Sequence, residues 1–256
     1  MLKKNTTKEK IKAGQAAIGF SMDFTSPYIV EVLGNIGFDF VYFDLEHGPM
    51  SEESCQEMIR AAELVGLTPL VRVPTNDSGV TLRLLDSGAM GVIVPHCNTI
   101  QEAQDGVKAI KYPPEGERGI AGRALSLSGM SPADYIIAAN KETLVVAMIE
   151  EVEALNNLSE ILTVGGLDIL FIGRLDFSLT AGIPGQVNAP VIQDAVNRVI
   201  TEGRAAGKAV GVGAINVDDP DSVRNFIKQG AQFFALNTAS ILRSAARDLL
   251  KRIKAD

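Results

Sequence analysis

The sequence has no tryptophan, two cysteines and two histidines in 256 residues. Two cysteines cannot supply a disulfide framework, which excludes the small stapled secreted class. Aromatic residues make up 5%, too few for a surface that stacks single-stranded bases. Positive charge is also short: 24 Lys and Arg against 31 Asp and Glu leave a net charge of -7. A general nucleic-acid binder is usually basic, so that class is excluded too. A small anion held by one local cation is not. No apolar run approaches the ~18 residues of a membrane helix. Met1 to Ala13 is rich in Lys and Thr and lacks the apolar core of a signal peptide. We therefore expect a cytoplasmic protein with neither membrane nor nucleic acid as partner.

What the chain does have is apolar mass, 46% of its residues, placed in eight short runs. They are 15–24, 38–47 (FDFVYFDLEH), 68–74 (TPLVRVP), 91–97 (GVIVPHC), 144–150 (LVVAMIE), 169–177 (ILFIGRLDF), 209–216 and 233–239. Most are continuous rather than alternating, the pattern of strands covered on both faces of a parallel sheet. Between them lie amphipathic stretches, such as Ser51–Val65 with Cys55, Met58, Ile59, Ala62 and Val65 at helical spacing. Several segments close on glycine, at 34, 66, 88, 207 and 230, as helix C-termini do. About eight βα units in roughly 250 residues predict an α/β fold closed into one (β/α)8 barrel over residues 1–256. An open doubly wound sheet is the alternative. The Gly/Pro-rich segment 112–131 breaks the rhythm and predicts a long irregular loop.

In such a barrel, chemistry sits where the strands end. The second run ends in Asp44, Glu46 and His47, and the third carries Arg72. The fourth ends in His96, the fifth in Glu150 and Glu151, the sixth in Arg174 and Asp176. Glu150 and Asp176 together make a candidate site for a hard divalent cation, Mg2+ or Mn2+. Capping of the next helix is the alternative for Asp176. His47 is a candidate general base. Strand alternation places Asp44 on the opposite face from it, unless a turn begins near Glu46. His96 has no carboxylate beside it in sequence and reads as structural or rim-lining. Arg72, a charge amid apolar neighbours, needs a carboxylate from the protein or from a ligand. No lysine ends a run, and Lys208 precedes the seventh. That disfavours Schiff-base chemistry, which needs a lysine in the site.

These residues lie in segments that resemble the HpcH/HpaI family of class II pyruvate aldolases. The segments are FDFVYFDLEHGPMS (38–51), TPLVRVP, LLDSGAMGVIVPHCNTIQEAQ (84–104), KYPPEGERGIAGRA (111–124), VVAMIEEVEALNNLSEIL (145–162) and LDILFIGRLDFSLTAG (167–182). The resemblance covers most of the chain. It implies a phosphoenolpyruvate/pyruvate-type barrel that cleaves a 4-hydroxy-2-oxo acid into pyruvate, or a close 2-oxo acid, and an aldehyde. It also implies a divalent metal (Mg2+, Mn2+ or Co2+) on Glu150 and Asp176. By the same resemblance His47 is the base, acting through a water, and Asp44 its dyad partner. Arg72 stabilises the enolate. The segment Gly173, Arg174, Leu175, Asp176 holds the substrate carboxylate on its N–H groups. Asp86 reaches a neighbouring subunit's site in a trimer of dimers. Two positions depart from the family: Arg174 stands where proline is usual, and Met148 where glutamine often stands. Arg174 is expected to put a cation beside the metal or recruit a second carboxylate, and Met148 to remove a polar contact. They leave open a citramalyl- or malyl-type lyase and a barrel that binds a 2-oxo acid without turnover.

Overall fold

The computed structural model describes residues 3–255. Eight parallel strands close in sequence order: β1 (Ala17–Met22), β2 (Phe40–Asp44), β3 (Thr68–Arg72), β4 (Gly91–Val94), β5 (Leu144–Ile149), β6 (Ile169–Ile172), β7 (Ala209–Val212) and β8 (Phe233–Asn237). The expected closed barrel is the one found, and the open sheet is not.

Alternation along each strand sorts the side chains into two cores. Phe40, Tyr42, Leu70, Ile93, Val146, Met148, Phe171 and Phe233 fill the barrel interior. There Phe40 stacks on Phe233 at 4.3 Å and Phe171 meets Phe233 edge-on at 5.3 Å. Gly19 makes room for this packing, since a Cβ there would sit 2.4 Å from the Phe40 carbonyl oxygen. The other face of each strand packs on the helices, through Val41, Phe43, Val71, Val92, Leu170 and Val210 against Met58, Ile59, Leu84 and Val196. Each such side chain contributes roughly 1.5–3 kcal/mol on burial.

Most runs extend too far at their C-terminal ends in the sequence reading. β2 stops at Asp44, β6 at Ile172 and β7 at Val212. Residues 174–180 are a helix rather than the end of a strand. Gly34 is interior to the helix Pro27–Ile36, and Gly37 is its left-handed cap at φ 107. Segment 112–131 is not one irregular loop. It contains the helix Gly122–Ser128 and is tied down by Arg118 to Asp86 and by Arg123 to Glu63.

The helix Thr6–Lys12 closes the N-terminal end of the barrel, with Ile11 in the interior core and Lys8 bonded to Thr143 and Asp168. The last helix, Thr238–Lys254, buries only Thr238 and exposes Leu242, Leu249, Leu250 and Ile253. No helix among the described residues is long and apolar enough to cross a membrane.

Candidate active site

Register decides the first contact. Asp44 and Arg72 are partners across β2 and β3, each at the last position of its strand. Both are buried. The Arg72 guanidinium grips the Asp44 carboxylate with two bonds, Nε to Oδ1 at 3.0 Å and Nη2 to Oδ2 at 2.5 Å. Its third nitrogen, Nη1, lies 3.0 Å from Glu46 Oε2 and 3.6 Å from Met148 Sδ. Burial pulls the Arg72 pKa down, but the Asp44 bond and the charges of Tyr42, Asp44 and Glu46 outweigh it, and the net shift is upward. Of the two partners open to Arg72 in the sequence, the protein supplies one. Met148 braces the guanidinium as a weak sulfur acceptor.

Asp44 does a second job. Its Oδ1 accepts the backbone N–H groups of Glu46 at 3.1 Å and His47 at 3.2 Å. That is the Asx-type turn by which a short carboxylate folds the chain just after it. Gly48 completes the bend, where a Cβ would stand 2.5 Å from the carbonyl oxygens of Asp23 and Asp44. The turn lifts His47 to the mouth with 58% of its side chain exposed, and Nε2 lies 3.8 Å from Glu46 Oε2. The Asp44 carboxylate is committed to Arg72 and the turn. Its contact with His47 is to the backbone, not to the imidazole expected of a dyad.

The strand ends opposite carry the carboxylates. Glu150 follows β5 and is 1% exposed. Gly173 lets it sit there, because a Cβ would come within 2.8 Å of Glu150 Oε2. Glu150 Oε1 accepts the backbone N–H of His96 at 2.7 Å. His96 holds a left-handed φ of 50 to offer it, a conformation that costs a non-glycine residue about 1 kcal/mol or more. The imidazole of His96 spans three acids. Nε2 is 3.0 Å from Glu46 Oε1, and Nδ1 is 2.9 Å from Glu151 Oε1 and 3.7 Å from Glu150 Oε1. Burial lowers the His96 pKa, but the Glu151 bond and the charges of Glu150, Glu46 and Glu151 raise it further. Burial raises the Glu150 pKa, partly offset by His96, with Glu46 and Asp176 adding to the rise.

Asp176 stands in the first turn of helix Arg174–Thr180, whose N-cap is Gly173 with no side-chain cap. It is therefore neither at a strand end nor a cap, and it is close enough to act electrostatically on Glu150. Leu175 is exposed beside it. Arg174 does not recruit a carboxylate. It is buried, donates from Nε to the Gly213 carbonyl at 2.9 Å and from Nη2 to the Ala214 carbonyl at 2.7 Å, and covers the Phe226 ring at 5.1 Å. Asp86 lies outside this constellation, on helix Ser78–Ser87, bonded to Arg118 Nη2 at 2.9 Å.

The residues present fit a divalent cation. Glu46, His96 and Glu150 each offer one donor atom, and the three atoms lie within 4.8 Å of one another. Glu46 Oε2 is buried and has no hydrogen-bond partner. Arg72 Nη1 is near enough for an ion pair but at the wrong angle to donate. Buried carboxylate oxygens rarely stay unmet unless something else is meant to meet them. Sequence reading passed over Glu46 and His96 as ligands because their partners come from other strands. The available signal was that both follow strands at the same rim.

A closed parallel barrel with acids, an arginine and imidazoles converging on the C-terminal rim defines a (β/α)8-barrel enzyme. Residues 18–243 match the HpcH/HpaI aldolase/citrate lyase family, and the chain belongs to that family. It is accordingly a carbon–carbon lyase of the aldolase kind. It is 35% identical to a hydroxypyruvate/pyruvate aldolase of Sagittula stellata, over 96% of each chain. It is 34% identical to a 4-hydroxy-2-oxo-heptane-1,7-dioate aldolase of Salmonella arizonae, over 99% of this chain and 96% of the relative. An HpcH/HpaI aldolase structure from Desulfitobacterium hafniense superposes with a TM-score of 0.91 at 28% identity, covering 97% of this chain and 96% of that one.

Proposed function

We propose that the protein carries out reversible, metal-dependent aldol cleavage of a 4-hydroxy-2-oxo acid, releasing pyruvate or a close 2-oxo acid and an aldehyde. The observation that carries this reading is the Asp44–Arg72–Glu46 unit facing His96 and Glu150 across one rim. Relatives named for hydroxypyruvate/pyruvate and 4-hydroxy-2-oxo-heptane-1,7-dioate support the substrate class.

Glu150 and Asp176 hold the metal, with Glu46 and His96 as additional donors. Carboxylates alone suit Mg2+ or Mn2+, and an imidazole nitrogen adds Co2+. When bound, the metal supplies Lewis-acid polarisation of the 2-oxo group. In the segment Gly173–Asp176 the backbone N–H groups of Arg174, Leu175 and Asp176 receive the substrate carboxylate, while that of Gly173 is held by the Ile149 carbonyl at 3.1 Å. Arg174 and Leu175 act through the main chain, since the Arg174 side chain points elsewhere. His47 accepts the proton of the 4-hydroxyl. The bond between carbons three and four breaks, its electron pair passes into the 2-oxo acid as an enolate, and the aldehyde leaves. Arg72 stabilises the charge that gathers on the enolate oxygen, the kind of preorganised contribution that usually dominates. Protonation at carbon three ends the cycle.

Asp86 serves a neighbouring subunit in a homo-hexamer built as a trimer of dimers. The uncovered apolar side of helix Thr238–Lys254 supports assembly. We also propose that residues 1–256 form one domain and that the enzyme is cytoplasmic, in keeping with its two free, buried cysteines.

The test is deuteration of pyruvate in D2O with Mn2+ or Mg2+, followed by a panel of hydroxy-oxo acids with pyruvate detection. Metal-dependent exchange of the methyl protons is expected. His47→Ala is expected to slow exchange and cleavage about a hundredfold. Unchanged exchange in that variant removes His47 from the base role. No exchange with metal binding intact would instead mark a 2-oxo acid binder.

A further inference from the structure

The opposite end of the barrel holds a second concentration of charge. A cavity of about 430 Å³ opens there, walled by the helix Thr6–Lys12 and the residues leading into β6, β7 and β8. Lys8, Lys12, Arg204 and Lys208 line it, against one carboxylate, Asp168. In a chain of net charge -7, four cations to one acid is a local reversal of sign.

Asp168 is already spent. Its two oxygens take the Lys8 ammonium at 2.9 and 3.1 Å, and Oδ2 also accepts the Val145 N–H at 2.9 Å. Lys208 gives two of its three protons to the carbonyls of Val164 and Leu167 and keeps one. The side chains of Lys12 and Arg204 have no hydrogen-bond or ion-pair partner among the described residues, and both are exposed at the cavity wall. Behind the wall, Lys111 is buried with its ammonium on the carbonyls of Asn140 and Thr143, the second of which it shares with Lys8. No carboxylate bonds to it. The end of the barrel thus carries uncompensated positive charge with free donors.

We propose that this cavity binds a small metabolite through a phosphate group. A phosphate has the charge and the acceptor oxygens to satisfy the Arg204 fork and the spare ammonium protons of Lys12 and Lys208 together. A single carboxylate leaves most of these donors unmet. The volume lies in the range of about 300–1,000 Å³ usual for small-molecule sites, so the phosphate is carried on an organic body. The cavity shares no residue with the catalytic rim, so this inference stands or falls apart from the aldolase reading.

The experiment is titration calorimetry and thermal melting of the full-length, Mn2+-loaded protein. The probes are 3-phosphoglycerate and inorganic phosphate, with KCl at matched ionic strength as control. Saturable binding of 3-phosphoglycerate and a raised melting temperature are expected. Lys12→Glu with Arg204→Glu should weaken binding at least tenfold, and Lys12→Gln with Arg204→Gln by less. Both pairs should keep the wild-type circular dichroism spectrum and melt cooperatively without ligand, which reports that they fold. Equal affinity in the Glu pair, or an equal shift from KCl, overturns the proposal.

Discussion

The two ends of this barrel handle charge differently. At the N-terminal floor the ammoniums rest chiefly on main-chain oxygen, Lys8 on Thr143, Lys111 on Asn140 and Thr143, and half-buried Lys208 on Val164 and Leu167, with Asp168 pairing Lys8 as the one charged partner. At the C-terminal rim the charged groups face one another, with Glu46 Oε2 ion-paired to Arg72 but without a hydrogen bond, and His96 held at a positive φ. The buried ammoniums of the floor fix where helices and strands begin, apart from the exposed Lys12 and Arg204 at its cavity. The buried groups of the rim stay in a state that a ligand completes. Substitutions should therefore split cleanly, with stability lost at one end and chemistry at the other.

Arg72 is the sharpest place to break that division, because it serves both. Arg72→Ala should lower kcat/KM by about a hundred- to a thousandfold, the scale of a lost preorganised donor. It should also cost about 3–5 kcal/mol in stability by stranding buried Asp44. Adding Asp44→Asn should restore much of the stability and none of the rate. Urea melts beside exchange kinetics measure both, and joint recovery would mean the pair is purely structural.

Lys8→Met probes the floor alone. It should cost about 2–4 kcal/mol by leaving Asp168 without its cation and should not move pyruvate exchange in the protein that remains folded. A rate loss larger than the loss of folded protein would contradict the split.

The smallest effect is a pH dependence at Lys111. Burial chiefly, then the neighbouring Lys8 charge, holds its pKa down to about 8, against weaker pulls from Asp168 and Glu115. The unfolded chain titrates near ~10.4. Below pH 8 both states are protonated, and folding carries the full penalty of about 3 kcal/mol. Between these values the unfolded state binds more protons, so stability rises with pH. Lys111→Met should flatten that rise by the same amount across the window, read as the difference in melting free energy between the two proteins. Parallel curves would show that the ammonium stays charged in the fold.

The architecture was legible from the apolar runs alone, since a strand covered on both faces cannot carry the polar residues that mark other structure. The ends of the runs were not. Leu45, Phe177 and Ile215 continue the apolar pattern beyond β2, β6 and β7 because these segments still pack on the core. Asp176 was therefore placed on a strand, although it lies one turn into a helix. Glu150 and Arg72 could be picked out as charges set in apolar sequence. The Arg72–Asp44 bond follows from strand register, which local sequence does not state. His96 was undervalued because its three acids come from other strands. Arg174 was expected to act as a cation at the site, but carbonyl oxygens near the end of β7 hold it instead.

The position of Arg72 is set by a ladder of main-chain bonds between neighbouring strands, not by the course of a loop. Ladders are the least yielding parts of a folded chain, so in the role proposed for Arg72 the end of the substrate that every cleavage shares would meet a fixed anvil. The segments past β2 and β4 carry Glu46, His47 and His96 and share that duty through their bonds to Asp44 and Glu150. Residues 73–77, past β3, carry none of these groups, so that stretch can diverge while the bond-breaking end stays where it is.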